Sequence, residues 1–60
     1  MNNMARPAKG VSALAFKVIK KAVKIRIDRG EDLEEIVESY NKLSQAQADE
    51  ILEEFKDYSK

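Results

Sequence analysis

The sequence contains no cysteine, no histidine and no tryptophan, and it has only one proline and two glycines. Without cysteine, neither a disulfide nor a thiolate metal site can stabilise a small core. Without histidine, the side chain that most often performs acid–base chemistry near neutral pH is missing. A chain of this length buries only about 60% of its unfolded surface. We therefore expect its stability to depend on efficient helix packing, on self-association or on a partner.

Long apolar runs are also missing. No stretch approaches the roughly 18 residues that a membrane-spanning helix requires, and residues 1–10 lack the apolar segment of a secretory signal peptide. The sequence has no Gly-rich phosphate loop, no nucleophile elbow and no Cys/His cluster. It therefore predicts a cytoplasmic protein that is not an enzyme and that has no cofactor, no metal site and no small-molecule substrate.

The net charge of zero hides a strong asymmetry between the two halves of the chain. Residues 1–30 carry eight basic side chains and one acidic one, a net charge of +7, whereas residues 31–60 carry three basic and ten acidic ones, a net charge of −7. Such asymmetry is typical of proteins that bind nucleic acid or a membrane surface, or that associate with themselves. The two halves can equally neutralise each other within one fold, and the sequence leaves both interpretations open.

Residues 1–10 have no hydrophobic periodicity and contain the only proline. They predict a flexible basic arm that precedes a single domain over residues 11–60. Arg6 and Lys9 in such an arm could reach a nucleic-acid groove, as homeodomain arms do. An ordinary unstructured terminus is the alternative.

Residues 12–29 predict a long first helix with Ser12 as its N-cap and Gly30 as the left-handed residue after its end. At about 100° per residue, its apolar side chains spread over roughly 220°, although one neighbour covers little more than 100°. A short alternation, KIRI, is typical of a strand, but the helical periodicity is longer. The polar arc forms a lysine strip: Lys17, Lys20, Lys21 and Lys24.

Arg26 falls inside the apolar arc of this helix. A basic side chain at such a position either extends along its apolar stem towards solvent or pairs with an acid. Because most of the acids lie in the second half of the chain, we expect any such pairing to join the first helix to that half.

Two shorter helices are predicted to follow, over residues 33–40 and 45–58. An Asp-x-x-Glu capping box begins the first at Asp32, and Asn41 is expected to end it in the left-handed conformation. A Ser-x-x-Gln capping box, Ser44 with Gln47, begins the second. The predicted fold is all-α, a small three-helix domain in which one long basic helix packs against a short acidic helical hairpin.

The first helix carries more apolar surface than two short helices are expected to cover, and the alternative is that the third helix alone covers the excess. Surplus apolar surface on a small protein is typical of an interface. We assign the surplus to a partner-binding face: Phe16, Ile19, Val23 and Ile27. The sequence thus predicts an interaction protein that forms a homo-oligomer or binds a protein partner. The alternative is a helix-turn-helix-like regulator that contacts nucleic-acid phosphates through basic side chains: Arg6, Lys9, Lys17, Lys20, Lys21, Lys24 and Arg26.

The hairpin resembles two families. Residues 30–55 resemble the helical end of small antitoxin-like helix-turn-helix domains, which would imply DNA binding. The matching positions are Gly30, Glu34, Glu35, Ile36, Tyr40, Leu43, Ser44, Leu52 and Phe55. Residues 41–51, NKLSQAQADEI, resemble the end of the short XkdX-like phage tail-module proteins, with their Gly-Lys-Ile-Thr cap and later Glu-Ile. That resemblance implies a structural or accessory role and an origin in a phage or mobile element.

Overall fold

A computed structural model describes residues 6–58 of the chain, and these residues form three helices and no strand. Helix α1 spans Ala13–Asp28, α2 spans Leu33–Ser39 and α3 spans Gln45–Phe55. The predicted all-α, three-helix fold is confirmed, and the KIRI stretch is helical. Helix α3 ends three residues earlier than predicted, because residues 56–58 form a turn in which the Tyr58 N–H donates to the Phe55 carbonyl at 3.0 Å.

One cluster of buried apolar side chains holds the helices together. Each helix and the α2–α3 turn contributes to it: Val23, Ile27, Ile36, Val37, Leu43, Ala48, Ile51 and Phe55. Full burial of a large aliphatic or aromatic side chain stabilises a fold by about 1.5–3 kcal/mol. No polar or charged side chain within residues 6–58 is buried, so the core is entirely apolar.

Both predicted ends of α1 are confirmed. The Ser12 hydroxyl accepts a hydrogen bond from the Ala15 N–H at 3.2 Å, which satisfies a free donor of the first turn. At the other end Gly30 has a φ of 97°, its N–H donates to the Ile27 carbonyl at 2.9 Å, and the next N–H donates to the Arg26 carbonyl at 3.1 Å. These are the two hydrogen bonds of a Schellman motif.

The hairpin begins its helices as predicted. The Asp32 carboxylate accepts from the Glu35 N–H at 3.2 Å, at the start of α2. At the start of α3, the Ser44 hydroxyl accepts from the Gln47 N–H at 3.1 Å, and the Gln47 side-chain oxygen accepts from the Ser44 N–H at 3.2 Å. The second pair is a complete capping box.

The Gln47 side chain also binds the segment that precedes α1. Its oxygen accepts from the Val11 N–H at 3.0 Å, and its amide nitrogen donates to the Val11 carbonyl at 2.9 Å. The Arg6 N–H donates to the Gln45 side chain at 3.2 Å. Of the predicted flexible basic arm over residues 1–10, residues 6–10 therefore lie against the hairpin in the structure, and residues 1–5 lie outside the described residues.

The end of α2 differs from the prediction. Asn41 is not left-handed, because glycines are the only residues with a positive φ in the part of the chain that the structure describes. Arg6 instead binds the end of the helix: its guanidinium donates to the Tyr40 carbonyl at 2.7 Å and to the Val37 carbonyl at 3.5 Å. Each of these carbonyls also accepts a backbone N–H, from Leu43 at 3.2 Å and from Tyr40 at 3.1 Å respectively, so the guanidinium is a second donor, and its charge complements the partial negative charge of the helix C-terminus.

Gly10 allows the N-terminal segment to approach α3 closely. It has a φ of 110°, and a Cβ atom added to it would lie 2.7 Å from the Gln47 side-chain oxygen and 3.2 Å from the Ser44 Cβ. A side chain at this position would therefore displace the group that binds Val11, as well as adopting an unfavourable backbone conformation.

We predict that Gly10→Ala lowers the free energy of unfolding by more than Gly30→Ala does. Both glycines have a positive φ, which costs a residue with a side chain about 1–3 kcal/mol, but nothing lies within 4 Å of a Cβ added at Gly30. The difference between the two losses in free energy of unfolding measures how much the close contact of Gly10 with Gln47 stabilises the fold. Urea denaturation followed by circular dichroism provides both values, and equal losses would contradict the described docking of residues 6–12.

Candidate interaction surface

The structure places the predicted partner-binding face of α1 towards the hairpin. Val23 and Ile27 are 0% and 9% exposed and belong to the core. Phe16 and Ile19 are partly buried and pack against that core. The prediction that this face is surplus is corrected, because α2 and α3 cover it within the same chain.

The exposed apolar side chains of α1 lie on its opposite face. Leu14 is 73% exposed, Val18 is 61% exposed and Ile25 is 55% exposed. At about 100° per residue they fall within about 40° of one another around the helix axis, and their centre is about 160° from Val23. We name these three residues the outer stripe. The predicted apolar arc of α1 is in fact two faces, one in the core and one at the surface.

Sequence reasoning missed the outer stripe because it treated the apolar residues of α1 as one continuous arc. The signal was present in the spacing: Leu14 and Val18 are four residues apart, and Ile25 follows seven residues later. This spacing is that of a single coiled-coil seam. A helix whose apolar arc divides into a core face and a seam is expected to have two neighbours.

The two borders of the outer stripe differ in chemistry. Lys17 and Lys24 lie along one border, Lys21 lies within the stripe between Val18 and Ile25, and all three lysines are exposed. The ion pairs among residues 6–58 involve none of these three lysines. The other border holds partly buried alanines, Ala15 and Ala22. The outer face of α1 therefore has apolar side chains along its middle, cationic side chains along one border and small side chains along the other.

Lys20 differs from the other lysines of the predicted strip, because it points to the hairpin. Its ammonium lies 3.1 Å from a Glu54 carboxylate oxygen and 3.4 Å from a Glu50 oxygen, both on α3. The hydrogen bond to Glu54 is the main reason that the pKa of Lys20 is raised above 10.5. The lysine strip thus divides: Lys20 neutralises the acidic hairpin, the Lys24 ammonium lies 5.6 Å from the centre of the Tyr58 ring, and Lys17 and Lys21 are exposed.

Arg26 pairs with an acid of the second half of the chain, which is one of the two alternatives predicted for it. Its guanidinium binds the Glu31 carboxylate at 2.8 Å, donates to the Ser39 hydroxyl at 2.9 Å and lies 5.5 Å from the centre of the Tyr40 ring. The hydrogen bond to Glu31 is the main reason that its pKa is raised. Two of the residues predicted to bind nucleic acid, Arg6 and Arg26, therefore bind groups of this chain instead. Lys9, from the same prediction, is exposed.

A groove lies between α2 and α3. Its volume is about 480 Å³, and both apolar and polar side chains line it, among them Val37, Leu52, Glu34, Glu38 and Arg6. Since this groove is open and its acids are exposed, it offers no sheltered carboxylate of the kind that general acid–base catalysis uses.

Within the described range 6–58, no group of three acidic, histidine or cysteine side chains is placed to hold a metal ion. None of the three helices is both long enough and apolar enough to cross a membrane. Of the four exposed large apolar side chains among residues 6–58, three lie on the outer face of α1.

Comparison of the chain with models of known protein families, with curated proteins and with solved structures found no match. The resemblances of the hairpin to antitoxin-like domains and to phage tail-module proteins therefore stay hypotheses.

We predict that Lys20→Met lowers the thermal midpoint of unfolding and that Lys17→Met, one turn earlier, changes it less. Because the pKa of Lys20 is raised, the ion pairs stabilise the fold at neutral pH and up to pH 10.5, and this contribution is lost as the pH rises through the raised pKa. Salt near 1 M is expected to reduce the difference from wild type. Equal effects of the two substitutions, measured by circular dichroism, would contradict the assignment of Lys20 to the hairpin.

Proposed function

We propose that the protein is a non-enzymatic interaction protein that binds a helix of a partner along the outer face of α1. The observation that carries this proposal is the alignment of Leu14, Val18 and Ile25 on one exposed side of a folded helix. Single exposed apolar residues are ordinary on protein surfaces, but a row of large ones is typical of an interface. Self-association through the face predicted from sequence would require Val23 and Ile27 to leave the core.

The dimensions of the outer stripe suit one helix. From Leu14 to Ile25 the stripe extends for about 16 Å, or three turns, at about 1.5 Å per residue. Its width of about 40° is that of a coiled-coil seam. The small side chains of Ala15 and Ala22 allow a second helix to approach to the usual interaxial distance of about 8–10 Å. A helix is therefore a better occupant of this surface than an extended peptide.

Two features support a role without catalysis. The sequence has neither histidine nor cysteine, and every charged side chain among residues 6–58 is at least partly exposed. We include in the proposal a cytoplasmic location and an accessory role in a phage or mobile element, the latter resting on the resemblance of the hairpin to phage tail-module proteins.

Nucleic-acid binding is the second candidate, and the exposed lysines favour it. Lys17, Lys21 and Lys24 lie on one side of α1 without an ion pair in the described part of the chain, and the Lys24 ammonium lies 5.6 Å from the centre of the Tyr58 ring. Exposed ammonium groups in such a row can contact phosphates. Groove reading by α3, the position of a recognition helix, is disfavoured because its exposed side chains include several acids, among them Asp49, Glu50 and Glu53.

The proposal is tested by placing a photo-crosslinking amino acid at Val18 or, as a matched control, at the exposed Ala46 of α3 in cells that make the protein. We expect position 18 to give an adduct with one protein, mapped by mass spectrometry to one apolar segment, and position 46 to give none. Replacing both Leu14 and Ile25 by aspartate should abolish the adduct while the circular dichroism spectrum stays that of the folded chain.

Three outcomes of this experiment count against the proposal. If position 18 gives no more adduct than position 46, the outer face is not a docking surface. If nuclease returns the adduct to about the mass of the chain alone, the crosslinked molecule is a nucleic acid and the basic regulator is the correct function. A protein adduct that persists in the Leu14→Asp, Ile25→Asp variant would mean that the partner contacts another surface.

A further inference from the structure

We infer that the helix bound by the outer face of α1 is acidic and amphipathic and belongs to a different protein, not to a second copy of this chain. This inference rests on the proposed function, and it specifies the chemistry of the partner. It follows from the charges along the outer stripe and from the surfaces that a second copy offers.

The border of the outer stripe is positively charged. Lys17 and Lys24 flank the stripe on the same side. They occupy the positions beside a coiled-coil seam at which charged side chains determine which helix can pair. Carboxylates beside the partner's seam would pair with these ammonium groups, whereas basic side chains there would repel them. Residues 6–58 supply no ion pair for either lysine.

Lys21 places a further positive charge within the seam itself. It follows Val18 by three residues and precedes Ile25 by four, so a docked helix would cover it. A charge that loses water at an interface is costly unless an opposite charge is placed against it. The partner is therefore expected to carry an acidic residue at the facing position, which also fixes the register of the two helices.

The same lysines exclude α1 of a second copy as the occupant. In a two-fold dimer the same surface patch contacts itself, so the three lysines of each α1 would lie close to those of the other. The acid in α1 is Asp28, which already accepts a hydrogen bond from the Tyr58 hydroxyl at 2.8 Å. Like charges on facing helices oppose association.

Helix α3 of a second copy is excluded by its lack of exposed apolar surface. Its exposed face has the right charge, with Glu50, Glu53 and Glu54, but the large apolar residues of α3 are buried or partly buried. Such a face offers little to cover the outer stripe. A contact of this kind is also heterologous and, unless its rotation closes a ring, leads to open filaments.

A lipid surface is disfavoured by the width of the outer stripe. Helices that lie in a membrane interface bury a broad apolar face and keep their charged residues on the opposite side. Here the exposed apolar residues cover only about 40°, and Lys21 lies directly beside them, about 20° from Leu14 around the helix axis. A single helix with its own seam matches this geometry better.

The probes for the test are three labelled heptad peptides of about 21 residues with the same leucine seam. Glutamate, glutamine or lysine occupies the positions beside the seam. Fluorescence anisotropy of each peptide is measured against the full chain. We expect the glutamate peptide to bind at least about ten-fold more tightly than the glutamine peptide, and the lysine peptide not to bind. Salt at about 500 mM should weaken binding of the glutamate peptide.

Variants show whether binding uses the assigned residues. Val18→Asp should abolish binding of the glutamate peptide, and Ala46→Asp on α3 is the matched control that should not. Changing Lys17, Lys21 and Lys24 together to glutamate should reverse the preference, so that the lysine peptide binds. This reversal is a readout that a merely destabilised variant would not produce.

The outcomes separate the inference from the proposed function. If all three peptides bind alike and Val18→Asp abolishes binding, the docking function stands and the acidic partner is wrong. If light scattering shows two copies in wild type and one in Val18→Asp, the occupant is a second copy, and the inference is overturned. Binding to phosphatidylserine vesicles that is lost in Val18→Asp would overturn both. If no peptide binds, the inference fails, and the crosslinking experiment decides the proposed function independently.

Discussion

The structure depends on one constraint: a long helix is paired with two short ones that can cover only one of its sides. Helix α1 has 16 residues, whereas α2 has seven and α3 has 11. Both short helices pack on the side of α1 that carries Val23 and Ile27, and there they complete an entirely apolar core. The opposite side of α1 is left with Leu14, Val18 and Ile25 at the surface. The proposed function follows from this uncovered side.

Polar side chains fasten the segment before α1 to the hairpin, in a chain without disulfides. Gln47 caps α3 and at the same time binds both backbone groups of Val11. Arg6 donates to the carbonyls at the end of α2. Lys20 and Arg26 then join α1 to acids that follow it. Much of the charge asymmetry of the sequence is therefore used within the fold, and Lys17, Lys21 and Lys24 stay exposed on α1 without an ion pair among residues 6–58.

The local features of the fold were predictable from sequence, and the long-range ones were not. The Ser12 cap, the Gly30 motif and the Ser44–Gln47 capping box depend on residues a few positions apart, so their spacing predicts them. The contacts of Arg6 with α2 and of Gln47 with Val11 join residues more than 30 positions apart, and no local pattern indicates them. For that reason Asn41 was wrongly expected to end α2. The partner-binding face was also misplaced, since periodicity gives the width of an apolar arc and not which part of it the neighbours cover.

The central claim is that the outer face of α1 contributes to binding and not to folding. The most direct test is the free energy of unfolding of a triple variant, Leu14→Gln, Val18→Gln, Ile25→Gln, measured in dilute solution beside Ile51→Ala, which truncates a fully buried core residue. We predict that the triple variant stays within about 0.5 kcal/mol of wild type, as surface substitutions do, and that Ile51→Ala loses about 2–5 kcal/mol. A loss in the triple variant as large as that in Ile51→Ala would show that the outer face stabilises the fold, and it would contradict the claim.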